Sequence, residues 1–340
     1  MRDVKAQPSS VETTARPGLS VPGRSISERI VALLQAFGSL GALIALLIVG
    51  RILSSTFLDW INIRQQLLIF CFSIALLAVG QTLVILTNGI DLSVGSLLAV
   101  GSVIAAQLVI NNDSMFWVFV MPMAVTMGMG SVSGIVVAKA KVQPIVVTLA
   151  MMIAARGIAE LITADNILRP TSDQFSNLTS AAFGTTNYTI PYAVVGVLLV
   201  YPIVAFILSR TVFGRSIYAV GGNEQAARLS GLAVDRVKIA VYAASGLLAG
   251  LAGVLWASYE STADPQNDGL YFELATISAV VIGGTSLLGG RGGVWRTLVG
   301  GIIITVLNAL LIQMGRDYPD QLIAQGLIIV GAVLLQWRRD

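Results

Sequence analysis

The chain has 340 residues, 55% of them hydrophobic and 11% charged, with a mean hydropathy of +0.82. A soluble domain carries about 25% charged residues, so a length that would suit two soluble domains is expected to lie in a membrane instead. A net charge of +3 argues for no nucleic-acid partner, the absence of His removes imidazole as base or metal ligand, and one cysteine, Cys71, allows neither an intramolecular disulfide nor a Cys-rich zinc site.

Residues 1–25 read as a polar, disordered tail of Pro, Ser, Thr and mixed charge. They do not read as a signal peptide, because the first apolar run begins near Ile30 and is too long and too late. Residues 26–340 read as one transmembrane domain. A spanning helix needs roughly 20 apolar residues. About ten runs approach that length: 30–50, 67–86, 92–110, 116–138, 145–163, 192–209, 239–259, 274–284, 294–314 and 321–337. The eighth is short enough for a half-helix. The runs are apolar on all sides, which suits lipid and bundle packing. The expected fold class is an all-α polytopic membrane protein of about ten transmembrane helices, some broken or short.

With the N-terminus in the cytoplasm and ten spans threaded, sixteen of the twenty-one Lys and Arg fall at inside segments. Four fall outside (Arg51, Arg64, Arg169 and Arg316), and Arg156 lies within a run. That bias predicts both termini inside.

The first break in the apolar pattern is "TNGIDLSVGS", residues 87–96. Asp91 is the only charged side chain between Gln65 and Asn112. The Asn88-Gly89 pair is a helix stop in which Gly89 can take φ > 0. Asp91 or Ser93 can cap the helix that follows. Two readings stay open. One is a tight cytoplasmic turn with Asp91 as a plain cap. The other is a broken helix at the translocation path, since non-helical backbone at membrane depth must be buried in protein or line a cavity.

"MMIAARGIAELIT", residues 151–163, sets Arg156 and Glu160 one helical turn apart. Charges inside a span face the bundle interior or water. They can form a structural pair, line a polar path, or leave Arg156 to pair with Asp91.

"GRSIYAVGGNEQAARLSGL", residues 214–232, lies in the longest inside segment. Asn223 is a natural N-cap, Glu224 suits the first turn and can pair with Arg228, and Gly231 suits the stop. The predicted two-turn helix is too short to stand alone and needs a surface, its own or a partner's. In the seventh run, Gly246 with Gly250 and Ala249 with Gly253 suit close helix contact. "GGTSLLGGRGG", residues 283–293, lacks the order of a phosphate-binding loop and reads as flexible backbone between helices.

Four stretches carry a resemblance: "GQTLVILTNGIDLSVGS", "VQPIVVTLAMMIAARGI", "GRSIYAVGGNEQAARLSG" and "VVIGGTSLLGGRGGVWRTLVG". From about residue 60 onward the chain resembles the ribose-type permease subunits of bacterial ATP-binding-cassette sugar importers. The resemblance implies a multi-pass permease of the bacterial inner membrane that passes a monosaccharide by alternating access. The partners it implies are a second permease protomer, a cytoplasmic ATPase with two nucleotide domains and a periplasmic sugar-binding protein. It also implies a coupling helix that docks on the ATPase, matched here by Gly222, Asn223, Glu224, Ala227, Arg228, Ser230 and Gly231. Asn88 stands where the family more often has Gly, a small departure because Asn also tolerates left-handed backbone. Candidate path or broken-helix residues are Asn88, Asp91, Ser93, Arg156 and Glu160. No catalytic residue, metal or cofactor is expected, and no nucleophile–base pair or metal cluster can be assembled. Rivals are an importer of nucleosides or amino acids, an ion-coupled transporter and a membrane enzyme.

Overall fold

Long apolar stretches with good helix formers must satisfy their own backbone in lipid, and helices do so. The computed structural model describes residues 38–185 and 188–337. Within them every apolar run lies on a helix. The order is α1 (Gly38–Leu53), α2 (Trp60–Leu86), α3 (Val94–Ile110), α4 (Met115–Lys139), α5 (Pro144–Thr163), α6 (Asp173–Ser180), β1 (Ala182–Thr185), β2 (Tyr188–Pro191), α7 (Tyr192–Arg210), α8 (Val212–Gly222), α9 (Glu224–Leu229), α10 (Val234–Glu260), α11 (Phe272–Ile282), α12 (Val294–Gln313) and α13 (Tyr318–Trp337). Among the described residues, six helices are long and apolar enough to cross a membrane: α2, α4, α5, α7, α10 and α12. α11 is an 11-residue helix, as the short eighth run predicts. The polar tail 1–25 and the start of the first run lie outside the described residues.

The all-α expectation needs one correction. The long polar segment between α5 and α7 folds into α6 and an antiparallel hairpin that pairs Ala182 with Pro191 and Thr185 with Tyr188. α6 is anchored to α10. Ser258 Oγ donates to the Phe175 carbonyl at 2.6 Å, and the Thr179 and Ser258 hydroxyls lie 3.0 Å apart.

α10 runs through the middle, against α2, α3 and α4. The small-residue pairs read from the sequence make these contacts possible. A Cβ on Gly250 would stand 2.8 Å from the Pro122 carbonyl of α4, and one on Gly253 would stand 2.3 Å from the Leu98 carbonyl of α3. From Leu68 to Leu86 α2 is buried nearly throughout, and it carries a π-helical turn at Phe70–Ala75. Such a turn disturbs the regular ladder. The Tyr201 hydroxyl of α7 donates to the Ala75 carbonyl at 2.9 Å. Cys71 in the same turn is fully buried.

Candidate functional site

The segment after α2 is built from its backbone outward. The Asn88 amide donates to the Ile85 carbonyl and the Gly89 amide to the Val84 carbonyl, a Schellman ending. The left-handed residue is Asn88, at φ 60°, and not Gly89. Gly89 is small for another reason: a Cβ there would meet the Tyr242 hydroxyl at 2.6 Å. Asp91 is 1% exposed. One carboxylate oxygen accepts from the Ser93 amide at 2.9 Å and the Ser93 hydroxyl at 2.6 Å, and the other accepts from Ser245 Oγ at 2.9 Å. Ser93 is the N-cap residue of α3, but its hydroxyl serves Asp91 and makes no cap bond.

Ser245 also abuts Gly80, where an added Cβ would be 2.9 Å from its Cα. Gly80 lies about 9 Å back along α2 from Leu86 at 1.5 Å per residue. The chain therefore turns at Leu86 and brings Asp91 back to the level of Ser245 and Gly80 before α3 begins. That explains why α3 is only 17 residues long.

Three glycine-bearing segments meet beneath this break. The Gly290 amide donates to the Leu86 carbonyl at 3.0 Å. A Cβ on Gly221 would stand 1.8 Å from that same carbonyl, and one on Gly289 would stand 2.8 Å from the Asn88 amide. Thr148 Oγ1, near the start of α5, donates to the Ile90 carbonyl at 3.2 Å. Turns far apart in sequence thus form one end of the bundle, and α9 hangs from it.

α9 has both ends closed. Asn223 Oδ1 accepts from the Ala226 amide at 2.9 Å. The Gly231 amide donates to Arg228 and the Leu232 amide to Ala227, with Gly231 at φ +81°. Arg228 bridges Asp235 at 2.7 Å and Glu224 at 3.3 Å, and Lys238 holds the other Glu224 oxygen at 2.5 Å. Burial pushes the Glu224 carboxyl up, but the Lys238 and Arg228 contacts outweigh it and hold it below its ordinary value. Hydrogen bonds from Arg228 to Asp235 and Glu224 raise the guanidinium's own pKa further. Ala227 is only 5% exposed and faces the core, so it is not free to meet a partner. Leu229 is 90% exposed. Sequence reasoning passed over it, although an apolar residue beside Arg228 in a polar loop was the available signal.

The opposite end folds differently. The segment between α10 and α11 descends into the bundle until the Gly269 carbonyl packs on Gly95, where a Cβ would stand 2.2 Å away. Arg156 holds it there, donating through one nitrogen to the Pro265 and Asp268 carbonyls, both at 2.8 Å. The Asp268 carboxylate accepts from Ser102, from Trp256 Nε1 at 3.1 Å and from the Asp264 amide at 3.1 Å. Arg156 therefore forms no ion pair with Glu160 among the described residues, and it does not reach Asp91, whose oxygens are taken by serines. The spacing allowed the first pair, but the planar guanidinium instead bridges two carbonyls of a neighbouring segment.

Arg156 and Glu160 still share a space. Together with Ser96, Tyr271 and Glu273 they line a cavity of about 440 Å³ between α3, α5 and the start of α11. Its walls combine one cation, two carboxyl groups, hydroxyls, and the apolar side chains of Met152 and Ile153. Glu273 and Asp268 were not singled out from sequence. Their signal was the polar insert "ADPQNDG", residues 263–269, and an acid heading an apolar run.

Helices long and apolar enough to cross a membrane, a buried break after α2 and a charged cavity between α3, α5 and α11 are the features of a multi-pass membrane protein. The chain belongs to the family described as branched-chain amino acid transport system / permease component, whose profile matches residues 63–335. It is 43% identical to the ribose import permease protein of Haemophilus influenzae, over 76% of this chain and 80% of that one. The ribose import permease protein of Bacillus subtilis is 37% identical over 90% and 94%. The L-arabinose transporter permease protein of Azospirillum brasilense is 33% identical over 90% of both. No solved structure matches. The ribose-type resemblance carried by the four motifs is thus upheld.

Proposed function

We propose that this chain is the membrane permease subunit of an ATP-driven monosaccharide importer. It is a transport subunit, with ATP hydrolysis in a separate cytoplasmic chain and substrate delivered by a binding protein outside. The observation that carries the mechanism is the joining of α9 to the break beneath α3 through Gly221, Leu86 and Gly290. A push on α9 is thereby passed to the segment that starts α3 beside the charged cavity. In this reading α9 is the coupling helix, with Gly222, Asn223, Glu224, Ala227, Arg228, Ser230 and Gly231 shaping it. Asn88, Asp91 and Ser93 set the break, and Arg156 and Glu160 line the path for the sugar. The remaining spans come from α1, α3, α11 and α13, giving about ten with both termini cytoplasmic in the bacterial inner membrane. A second protomer, identical or related, completes the path. Residues 26–340 form the permease domain, and 1–25 a cytoplasmic tail.

The test is uptake by proteoliposomes holding the permease, its ATPase and its binding protein. ATP-dependent accumulation of labelled ribose, arabinose or fructose is the expected result. Accumulation of leucine alone would move the substrate to amino acids. Uptake driven by an ion gradient without ATP would overturn the reading.

A further inference from the structure

A second cavity, of about 190 Å³, lies among α2, α10, α11, α12 and α13. It shares Leu270 and Tyr271 with the charged cavity, so the start of α11 is a wall common to both. Its lining differs in kind. Gln66, Ser73, Asn308 and Gln325 face it beside the Trp256 indole, and among the described residues no charged side chain lines it. Two of these groups lack partners. Asn308 Oδ1 and Gln325 Nε2 are buried with no hydrogen bond among the described residues, and Gln325 is 7% exposed.

Leaving a buried acceptor and donor unpaired is unfavourable. Either amide, turned over, still presents one donor and one acceptor. A hydroxyl both donates and accepts, and satisfies either. An ion would find no counter-charge. The indole, packed edge-on against Phe272 at 5.3 Å, offers apolar surface for C–H groups. The volume equals roughly six waters, room for one small ring. Gln66 and Ile312 lie at the ends of α2 and α12 remote from the 87–93 break.

We infer that the cavity walled by Trp256, Asn308 and Gln325 is a second sugar site, holding one neutral ring at the bundle end remote from the break, ahead of the charged cavity. The inference rests on the importer reading, and it adds a waiting position separated from the charged cavity by the first turn of α11.

The test uses purified full-length permease in nanodiscs and the complete importer in proteoliposomes. The intrinsic tryptophan fluorescence of the permease is titrated with D-ribose, L-arabinose and D-fructose, with Trp256→Phe as the control that removes the signal. A saturable change is expected for a sugar that the complete importer accumulates. Asn308→Leu and Gln325→Leu each remove an unpartnered group, so melting temperature should hold or rise. The same variants should lose the fluorescence response and slow uptake at least tenfold. Uptake with no saturable response in the permease, meaning that the cavity holds water only, sinks this inference and leaves the importer reading intact. So does unchanged uptake in folded Asn308→Leu, Gln325→Leu double variant. No uptake of any sugar by the unaltered importer overturns both.

Discussion

The Gly290 amide donates to the Leu86 carbonyl at 3.0 Å, joining the loop before α12 to the last residue of α2. Helix ends leave carbonyls open, and in a membrane an open carbonyl must find a partner in protein. Here the partner comes from a glycine turn that is itself pressed against Gly221 and Gly222. The contact makes the end of α2, the end of α8 and the 283–293 loop one mechanical unit. It also shows why the glycines of 283–293 resemble a phosphate loop without being one: they admit backbone to backbone.

That junction is intolerant of side chains on one residue and indifferent at the next. A Cβ on Gly221 would stand 1.8 Å from the Leu86 carbonyl, whereas one on Gly222 meets nothing within 4 Å. Gly221→Ala should cost about 1–3 kcal/mol through overpacking, seen as a lower melting temperature of the purified permease. Gly222→Ala should stay within about 0.5 kcal/mol. Equal melting temperatures would show that the junction is loose.

Arg156 is tied to the 261–271 segment and not to Glu160. Arg156→Ala releases two carbonyls from a charged donor, at about 1.5–3 kcal/mol for each bond. Glu160→Ala should leave thermal stability nearly unchanged while slowing transport. The double variant should then be no more stable than Arg156→Ala alone. A double variant more stable than Arg156→Ala alone would restore the ion pair read from spacing.

Asp91 is a pin. Its carboxylate accepts from Ser93 twice and from Ser245 once. Asp91→Asn keeps the oxygen that Ser93 needs and lets the amide donate to the Ser245 hydroxyl, so folded protein should be recovered. Asp91→Ala strands those donors and should lower the yield of folded permease severalfold. If Asp91→Asn folds yet transports nothing, the negative charge itself takes part in transport.

The sequence made the local features legible and left the crossings obscure. Helix runs, the Asn223 cap, the Gly231 stop and the small faces of α10 follow from rules that act within a few residues. The left-handed role of Asn88 was assigned to Gly89, because both are permissive and only the Tyr242 contact separates them. The descent of 261–271 was invisible, since it rests on Gly95 and Arg156, both far away in the chain. Membrane helices offer little amphipathic pattern, so nothing in the periodicity says which face meets which neighbour.

Topology is open to direct measurement. The charge bias predicts Asp340 inside and Ser176 outside. A reporter active only outside should be silent at Asp340 and active at Ser176. The reverse pattern would turn the bundle over and exchange the roles of α9 and α6.

The last prediction separates the inner and outer faces of α9. Ala227 looks inward and is 5% exposed, while Leu229 looks outward and is 90% exposed. A bulky residue at Ala227 must displace the core, so Ala227→Trp should prevent folding and says nothing about docking. Leu229→Asp touches no contact within the chain and should leave melting temperature unchanged. The exposed leucine is the apolar surface that α9 offers to a groove on a partner. Placing a carboxylate in that groove costs enough to abolish docking, so sugar-stimulated ATP hydrolysis and uptake should both fall at least tenfold. The Glu224 cluster gives a second handle. Its carboxyl is held below the ordinary value, so its contribution is complete above about pH 4.5, the ordinary carboxylate range, and disappears as pH falls through its lowered value. Lys238→Met should weaken that acid dependence, leaving the part that Arg228 supplies, and leave Leu229 in place. Full transport by Leu229→Asp would show that the ATPase grips another part of this end, and would take the coupling role away from α9.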